Sequence, residues 1–544
     1  MEPVGCIVAA IGPRADLSGG RPVTETLRVG VDVGGTNTDA IVLRGRQVLA
    51  QHKAPTSSDV GTGIVQAIRD VLAQAMLPVS EVAAVMIGTT HFTNAFVEGK
   101  HLSRVGVLRL GAPATLSVRP FADWPETLID AVGGHAAIVA GGYNYDGRPI
   151  RAVDPGEIRR VVTEFAARDI RAVAISSVFA PVNKSQEEEV AAIVSRELPG
   201  VHLTLSSEIG RIGLIERENA AIMNSALLAM ADRVVGSFRQ ALANLGIRAP
   251  FFVSQNDGTL LDPDRVVRSP VLTFASGPTN SMRGAAFLSG AKDALVMDIG
   301  GTTTDAGALV NGFPRESSIA VDIGGVRTNF RMPDILSIGL GGGSLVATEG
   351  GRVRVGPQSV GYRILTEALV FGGTQLTATD IAVAAGYAEV GDRDRVRHLD
   401  KKMVAAAVDE IHRLAEETLD RMKTSANAAR VILVGGGSVL IHRDLKGVGE
   451  LTVPQQAGVA NAIGAAIAQV SGEVDRIFSY DKVGRDRALQ DARNEAVGGA
   501  ISAGALPDSV HIVDVEELPL QYLPGGAVRI RVKAVGDLVL GSTL

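Results

Sequence analysis

The chain contains a single cysteine, Cys6, among its 544 residues. One cysteine excludes an intrachain disulfide, and it excludes a zinc site or an iron–sulfur cluster held by several cysteines of one chain. No apolar run reaches the length of a membrane span. There is no Lys/Arg-rich block, and the formal net charge is −6, so nothing favours nucleic acid as a partner. We expect a cytoplasmic protein that binds neither nucleic acid nor a membrane.

Aromatic residues are also scarce, at 4%, whereas the chain has 63 glycines and a hydrophobic content of 46%. This composition is typical of a folded protein with many tight turns and close packing of small side chains. Apolar strand-like runs alternate with segments of helical spacing, which predicts an α/β fold with mostly parallel, helix-covered sheets. A chain of this length is expected to form two to four domains.

One glycine-containing stretch occurs twice. Residues 31–40 read Val-Asp-Val-Gly-Gly-Thr-Asn-Thr-Asp-Ala, and residues 297–306 read Met-Asp-Ile-Gly-Gly-Thr-Thr-Thr-Asp-Ala. Each copy lies between two apolar runs, which predicts two strands joined by a tight Gly-Gly turn. An ordinary hairpin turn would explain one copy, but two near-identical copies so far apart indicate a shared function.

The tips of these two hairpins carry groups that suit a nucleotide. Glycine lacks Cβ, so backbone N–H groups can approach a phosphate, and threonine hydroxyls add further donors. Asp32 and Asp298 are suited to hold Mg²⁺, usually through water. Two tips facing each other would clamp the phosphates, and the predicted phosphate-binding residues are Gly34, Gly35, Thr36, Gly300, Gly301 and Thr302.

Two more strand ends carry candidate ligand-binding residues. Residues 88–95 read Gly-Thr-Thr-His-Phe-Thr-Asn-Ala after a buried strand, which places polar groups where a substrate would bind, although a simple capped turn explains them equally well. The substrate candidates are Thr89, Thr90, His91 and Asn94. A second buried strand runs into Gly435, Gly436, Gly437 and Ser438, where the backbone can approach a flat nucleoside.

The organisation along the chain is predicted as follows. Residues 1–26 form a flexible extension, 27–270 an N-terminal lobe with the first hairpin, 271–470 a C-terminal lobe with the second hairpin, and 471–544 a small α+β segment. Residues 111–150, rich in glycine, proline and aromatics, are expected to be irregular.

The order of these motifs resembles the actin, heat-shock chaperone and sugar-kinase superfamily of two-lobed ATPases. Within it, the chain looks like the A subunit of the ATP-dependent hydantoinase/oxoprolinase family. The resemblance rests on the two hairpins, on Gly-Thr-Thr-x-x-Thr-Asn-Ala at 88–95, and on three shorter motifs: Ser-Ser-Glu at 206–208, Ser-Gly-Pro at 276–278 and Gly-Gly-Gly-Ser at 341–344.

The resemblance implies duplicated ribonuclease H-like lobes and ATP-dependent opening of a cyclic amide such as a hydantoin, oxoproline or a lactam. It implies ATP and Mg²⁺ as cofactors and a separate B-type subunit that completes hydrolysis. Asp32 and Asp298, with Thr36 and Thr302, would then be the catalytic residues, the two aspartates would bind the metal, and residues 435–438 would contact adenosine.

Other functions stay open at this point. A sugar or small-metabolite kinase would share the lobes and release a stable phosphorylated product. A chaperone that reactivates a dehydratase would share them too and would need a client protein. The sequence separates neither hydrolase from carboxylase members of the family nor a monomer from a homo-oligomer.

Overall fold

The structure is a computed structural model, and it describes residues 26–34, 37–55, 60–317, 320–521, 523 and 525–540. Gly35 and Thr36, two of the predicted phosphate-binding residues, lie outside the described residues, as does the predicted extension apart from Thr26. Among the helices that the structure describes, none combines the length and apolar character needed to cross a membrane.

The first half of the chain alternates strands and helices, as the sequence predicts. Its elements are β1 (Leu27–Val33), β2 (Asn37–Arg44), β3 (Gln47–Pro55), α1 (Val60–Ala75), β4 (Val82–Thr89), α2 (His91–Val97), β5 (Val105–Ala112), α3 (Glu126–Val132), β6 (His135–Ala140), α4 (Pro155–Ala167), β7 (Ala172–Ser177), α5 (Ser185–Glu197), β8 (His202–Leu205), α6 (Leu214–Asn244), β9 (Phe251–Ser254), β10 (Leu260–Leu261), α7 (Pro263–Arg268) and α8 (Ser276–Ser289).

These strands form two sheets. The larger has the order β10-β9-β4-β1-β2-β3, and the smaller is a parallel sheet of order β6-β5-β7-β8. The expectation of irregular structure over 111–150 was wrong in part, because α3 and β6 lie within it. Apart from Gly111 in β5, its glycines and prolines occupy the connections, while Leu128, Val132 and Val139 are apolar enough to be buried.

The second half contains β11 (Ala294–Ile299), β12 (Thr304–Val310), β13 (Phe313–Pro314), β14 (Val321–Ile323), β15 (Val326–Thr328), β16 (Ile335–Ile338), β17 (Ser344–Glu349), β18 (Arg352–Ser359), α9 (Ile364–Glu367), α10 (Ala378–Ala384), α11 (Lys401–Met422), β19 (Ala429–Val434), β20 (Val448–Thr452) and α12 (Ala460–Ile467). Its main sheet has the order β13-β12-β11-β19-β20, with β16 pairing β12.

The two main sheets share one topology. In the first, β1 pairs antiparallel with β2 and parallel with β4, and β4 pairs parallel with β9. In the second, β11 pairs antiparallel with β12 and parallel with β19, and β19 pairs parallel with β20. Each repeated hairpin therefore opens an equivalent sheet, and the predicted two-lobed α/β fold with duplicated lobes is confirmed.

Helices α8 and α12 cross between the two main sheets. A Cβ on Gly284 would lie 1.9 Å from the Ala460 carbonyl oxygen, and one on Gly464 would lie 1.8 Å from the Asn280 carbonyl oxygen. These pairings run in opposite directions along the two helices, so the helices are antiparallel. Their backbones touch because neither glycine has a side chain.

The C-terminal segment is α+β, as predicted. It contains β21 (Val470–Ser479), α13 (Tyr480–Val483), α14 (Arg485–Ser502), β22 (His511–Pro519) and β23 (Ala527–Gly536), with the sheet order β21-β23-β22. Two buried cations tie this sheet to the lobes: Lys533 pairs with Asp257 at 2.8 Å, and Arg531 pairs with Glu316 at 2.6 Å. The segment is thus anchored by ion pairs as well as by apolar packing.

Candidate functional site

Asp32 lies near the end of β1 and is almost fully buried, with 4% of its surface exposed. The side-chain amide of Asn280 donates to its Oδ1 at 3.3 Å, and that of Asn461 donates to its Oδ2 at 3.0 Å. Gly88, its partner on β4, leaves room for the carboxylate, because a Cβ there would lie 2.1 Å from Oδ1. The carboxylate is therefore fixed from three directions.

Asp39 lies opposite Asp32 on the paired strand. The Asn461 amide also donates to Asp39 Oδ2, at 2.9 Å, and the Lys53 ammonium pairs with the other oxygen. Burial and the nearby charge of Asp39 raise the pKa of Asp32 to about 6, against the opposing effect of the Asn280 and Asn461 amides. The first hairpin thus concentrates negative charge next to its turn, which a bound cation would relieve.

The second hairpin repeats this geometry with other partners. Asp298 lies opposite Asp305, and it accepts a hydrogen bond from the Ser281 hydroxyl. Burial raises the pKa of Asp298 above its ordinary value, and burial, with the charge of Asp298, raises that of Asp305 to about 6. Asp305 accepts a hydrogen bond from Ser337.

The partners of the two aspartates come from one turn of α8. Asn280 bonds Asp32 in the first lobe, and the next residue, Ser281, bonds Asp298 in the second. Sequence analysis assigned no role to these two residues or to Asn461. One signal was present, since Asn461 is the only polar side chain in the Ala/Gly/Ile helix α12.

The turns of both hairpins close in the same way. The Gly34 N–H donates to the Asn37 carbonyl at 3.0 Å, and the Gly300 N–H donates to the Thr303 carbonyl at 2.9 Å. The predicted phosphate-binding residues Gly300, Gly301 and Thr302 lie on the second turn and are partly exposed. Gly34 has the equivalent place in the first.

A glycine loop, residues 339–343, packs against the second turn. The Gly342 N–H donates to the Gly300 carbonyl at 3.0 Å, and the Gly343 N–H donates to the Gly301 carbonyl at 2.7 Å. A Cβ on Gly341 would lie 2.6 Å from the Thr302 nitrogen. This loop, which sequence analysis noted without assigning it a role, holds the second turn in place.

The predicted adenosine-binding residues also lie beside the second hairpin. The Gly437 N–H donates to the Ile299 carbonyl at 2.7 Å, and Gly435, at φ +86°, leaves room for the Asp298 carboxylate. Gly436 is exposed, and a Cβ there would meet open space. Ser438 follows in a short helical turn. The backbone at Gly436 is therefore accessible to a ligand.

Three of the four predicted substrate residues line a cavity of about 220 Å³, here called the strand-end cavity. Thr90, His91 and Asn94 contribute to its wall, together with Gly34 of the first hairpin. Thr90 is held on the hairpin by its backbone N–H, which donates to the Val33 carbonyl at 3.4 Å. The cavity thus places three of the substrate candidates next to the first hairpin turn, which is predicted to bind phosphate.

Thr89 does not line this cavity but is buried behind it. Its hydroxyl accepts the His91 backbone N–H at 3.3 Å and lies 2.8 Å from His91 Nδ1. Burial lowers the pKa of His91, so the ring is neutral at pH 7. A neutral ring that accepts the Thr89 proton at Nδ1 carries its own proton at Nε2.

The two hairpin aspartates fit a magnesium ion better than a metal that needs an all-protein site. Within the described residues, no three His, Cys, Asp or Glu side chains cluster closely enough to hold a metal ion alone. Mg²⁺ usually takes one or two carboxylates and fills its other positions with water and substrate phosphates. Asp32 and Asp298, each beside a second carboxylate, supply such a pair.

Two family models match most of the chain. The model described as "Hydantoinase/oxoprolinase N-terminal region" matches residues 28–198, and the model described as "Hydantoinase/oxoprolinase" matches residues 217–392. The matched ranges contain both hairpins, the strand-end cavity residues and the glycine loop.

Curated relatives are distant in sequence. The chain is 25% identical over 393 residues to the acetophenone carboxylase gamma subunit of Aromatoleum aromaticum, covering 66% of this chain and 53% of that one. It is 28% identical over 400 residues to the caprolactamase subunit alpha of Pseudomonas jessenii, covering 67% and 55%. The chain therefore spans about half the length of these two relatives.

Solved structures show the same fold. The ATP-dependent caprolactamase from Pseudomonas jessenii superposes with a TM-score of 0.74 at 19% identity, covering 94% of this chain and 88% of that one. A nucleotide-free acetone carboxylase superposes with a TM-score of 0.68 at 18% identity, with the same coverage. At these identities the likeness establishes the fold, and any conclusion about the chemistry has to come from the residues of the site.

Proposed function

Because the chain belongs to the hydantoinase/oxoprolinase family, we propose that it is the ATP-using subunit of an enzyme that opens a cyclic amide. One observation carries this proposal: the strand-end cavity joins Gly34, on the first phosphate-binding turn, to Thr90, His91 and Asn94. A small ring bound there lies beside the phosphates that the two turns would hold. The cavity, of about 220 Å³, suits a compact substrate.

The chemistry explains why ATP is needed. The carbonyl carbon of an unstrained lactam is a poor electrophile, because the amide nitrogen donates its lone pair to it. In the proposed step, the carbonyl oxygen attacks the γ-phosphorus, the bond to the ADP oxygen breaks, and ADP leaves. Water then adds to the carbon of the phosphorylated amide, and the ring C–N bond breaks as the nitrogen takes up a proton, which leaves an acyl phosphate. A second water attacks this acyl phosphate, the C–O bond to phosphate breaks, and the open-chain carboxylate and phosphate are released.

The chain's own residues would position these groups. Backbone N–H groups of the two turns and the Thr302 hydroxyl would donate to the phosphates, and Gly436 would lie against adenosine. The neutral His91 ring would donate from Nε2 to the substrate carbonyl, with Thr89 fixing its orientation. Mg²⁺ bound by Asp32 and Asp298 would neutralise phosphate charge. Thr36 would act as Thr302 does.

A separate subunit is proposed to complete hydrolysis. The two relatives described above are named as the gamma subunit and the subunit alpha of their enzymes, and this chain covers about half of each. The C-terminal α+β segment brings no further cluster of catalytic side chains among its described residues. The water-addition step therefore needs groups that a B-type partner would supply.

The direct test measures ADP release from Mg²⁺-ATP by the full chain, alone and with a co-expressed B-type partner. The panel contains hydantoins, 5-oxoproline, caprolactam, ketones with bicarbonate, and sugars. We expect a cyclic amide to stimulate release. Stimulation by a ketone would assign carboxylase chemistry, and a stable phosphosugar would assign a kinase. Silence across the panel, with the partner present, would contradict the proposal.

A matched pair of variants tests the cavity itself. Asn94→Ala removes an amide that lines the cavity, and we expect it to raise KM for the amide about tenfold while leaving KM for ATP unchanged. Val97→Ala alters an exposed residue of the same helix outside the cavity and is expected to change neither constant. Equal KM values for both variants would remove Asn94 from the substrate site.

A further inference from the structure

A second cavity, of about 420 Å³, lies where both lobes and the C-terminal segment meet, and is here called the interlobe cavity. It is distinct from the hairpin turns, because its residue Arg28 precedes Asp32 by four positions on β1, about 13 Å along the strand. Residues Gly45 and Arg46 of the first lobe, Arg283 and Lys292 of the second, and Asp537 after β23 contribute to its wall.

Four cations line this cavity, and none of them pairs with a carboxylate of the described chain. Arg28, Arg46, Arg283 and Lys292 form no ion pair within 4.0 Å in the part of the chain that the structure describes. Asp537 is the one carboxylate among the described lining residues. Its Oδ1 accepts a hydrogen bond from the Gln469 amide at 2.8 Å. The wall therefore carries a net positive charge.

Two of the four cations are buried without full hydrogen bonding. Arg28 and Arg283 are each only 8% exposed, and the Nε of each lacks a hydrogen-bond acceptor. Burial lowers the pKa of Arg283 to about 10, so its guanidinium is still charged at neutral pH. A buried guanidinium with a free N–H is costly unless something accepts its hydrogen bonds.

The contacts that these arginines do make orient them without neutralising them. Arg283 donates to the Gly312 carbonyl at 2.6 Å and lies over the Phe313 ring at 3.8 Å. Arg46 donates to the Phe287 carbonyl at 3.1 Å and lies over the ring of the same residue at 4.4 Å. Each guanidinium is thus fixed in place by backbone and aromatic contacts and forms no ion pair with a described carboxylate within 4.0 Å.

We propose that the interlobe cavity binds a small multivalent oxyanion, phosphate or a dicarboxylate, that contacts both lobes. Arg28 and Arg283 would be its buried contacts, and the exposed Arg46 and Lys292 would close over it. Planar guanidinium groups bind such anions through paired, charge-assisted hydrogen bonds. The proposal is independent of the cyclic-amide function, because it concerns binding at residues outside the hairpins and the strand-end cavity.

The test is calorimetric titration of inorganic phosphate, and separately of malonate, into the full chain saturated with a non-hydrolysable ATP analogue. The analogue fills the phosphate sites of the hairpins, so the remaining signal reports another site. We expect one anion per chain. Arg46→Gln combined with Lys292→Gln should weaken its binding at least about tenfold, since both removed contacts are charge-assisted.

The control carries the same change in charge elsewhere. Arg44 and Lys446 are exposed and lie outside the cavity, so Arg44→Gln combined with Lys446→Gln should leave the affinity unchanged. Binding of phosphate alone, or of malonate alone, identifies the source of the anion. Absence of saturable binding by both anions, or equal affinity in both double variants, would overturn the proposal.

Discussion

The two Gly-Gly hairpins have almost the same sequence and the same place in equivalent sheets, yet their surroundings differ. In the first, two amides and the ammonium of Lys53 surround the carboxylates of Asp32 and Asp39. In the second, two serine hydroxyls do so, and no described cation pairs with Asp298 or Asp305. A duplicated motif has thus kept its backbone and acquired different partners.

One element of packing is common to both. Gly88 lies near the end of β4 beside Asp32, and Gly435 directly follows β19 beside Asp298. A Cβ on either glycine would touch the carboxylate. Both hairpins therefore need a glycine at the end of the neighbouring parallel strand. The position of the carboxylate thus requires this glycine in both hairpins, whereas the groups that hydrogen-bond or pair with the carboxylates differ between them.

The largest expected effect concerns the two aspartates of the second hairpin. Asp298→Asn removes a proposed metal-binding carboxylate and is expected to lower the rate of ATP turnover at least about a hundredfold. Asp305→Asn alters the residue opposite Asp298, which accepts a hydrogen bond from Ser337 and is not a proposed metal-binding residue, so its effect should stay below about tenfold. ADP release measures both, with circular dichroism as the check on folding. Full activity of Asp298→Asn would remove Asp298 from the mechanism.

An intermediate effect is expected at the glycine that contacts Asp298. In Gly435→Ala the Cβ would lie 2.2 Å from Asp298 Oδ1 on a backbone with φ +86°, so we expect a loss of about 1–3 kcal/mol in unfolding free energy. Gly436→Ala meets open space and should change it by less than about 0.5 kcal/mol. Urea unfolding of the two variants side by side measures the difference, and equal midpoints would contradict the close contact.

The smallest effect tests the cation of the first hairpin. Lys53→Met leaves Asp39 Oδ1 buried without a partner, but the lysine side chain is 40% exposed, so the expected loss is only about 1 kcal/mol of unfolding free energy. Lys184→Met breaks an exposed helical pair with Glu188 and should cost less than about 0.5 kcal/mol. If urea unfolding gives both variants the same stability, Lys53 does not distinguish the two hairpins.

Local patterns made much of this structure predictable. The strand–turn–strand structure of both hairpins follows from the apolar runs on either side of each Gly-Gly pair. The same holds for the polar strand end that forms part of the strand-end cavity. These features depend on neighbours in sequence, which a single chain displays directly.

The partners of the hairpin carboxylates were not predictable in this way. Asn280 lies 248 positions from Asp32, and Asn461 lies 429 positions from it, so no spacing rule connects them. The packing of residues 339–343 on the second turn was equally unpredictable, because it also joins segments that are far apart in the sequence. A single asparagine in a buried helix, such as Asn461 in α12, does not by itself indicate a functional contact. Its contacts with Asp32 and Asp39 are seen only in the folded structure.

The Asn461 contact has a consequence for synthesis of the chain. The amide that bonds both Asp32 and Asp39 belongs to Asn461, which is translated more than 400 positions after the first hairpin. Domains commonly fold as they emerge from the ribosome. The first lobe, however, cannot form the hydrogen bonds of Asn461 to Asp32 and Asp39 until α12 has been synthesised. A fragment that stops before residue 460 would carry the first hairpin without the Asn461 amide that bonds Asp32 and Asp39, so we expect the first lobe expressed alone to lack a correctly formed hairpin.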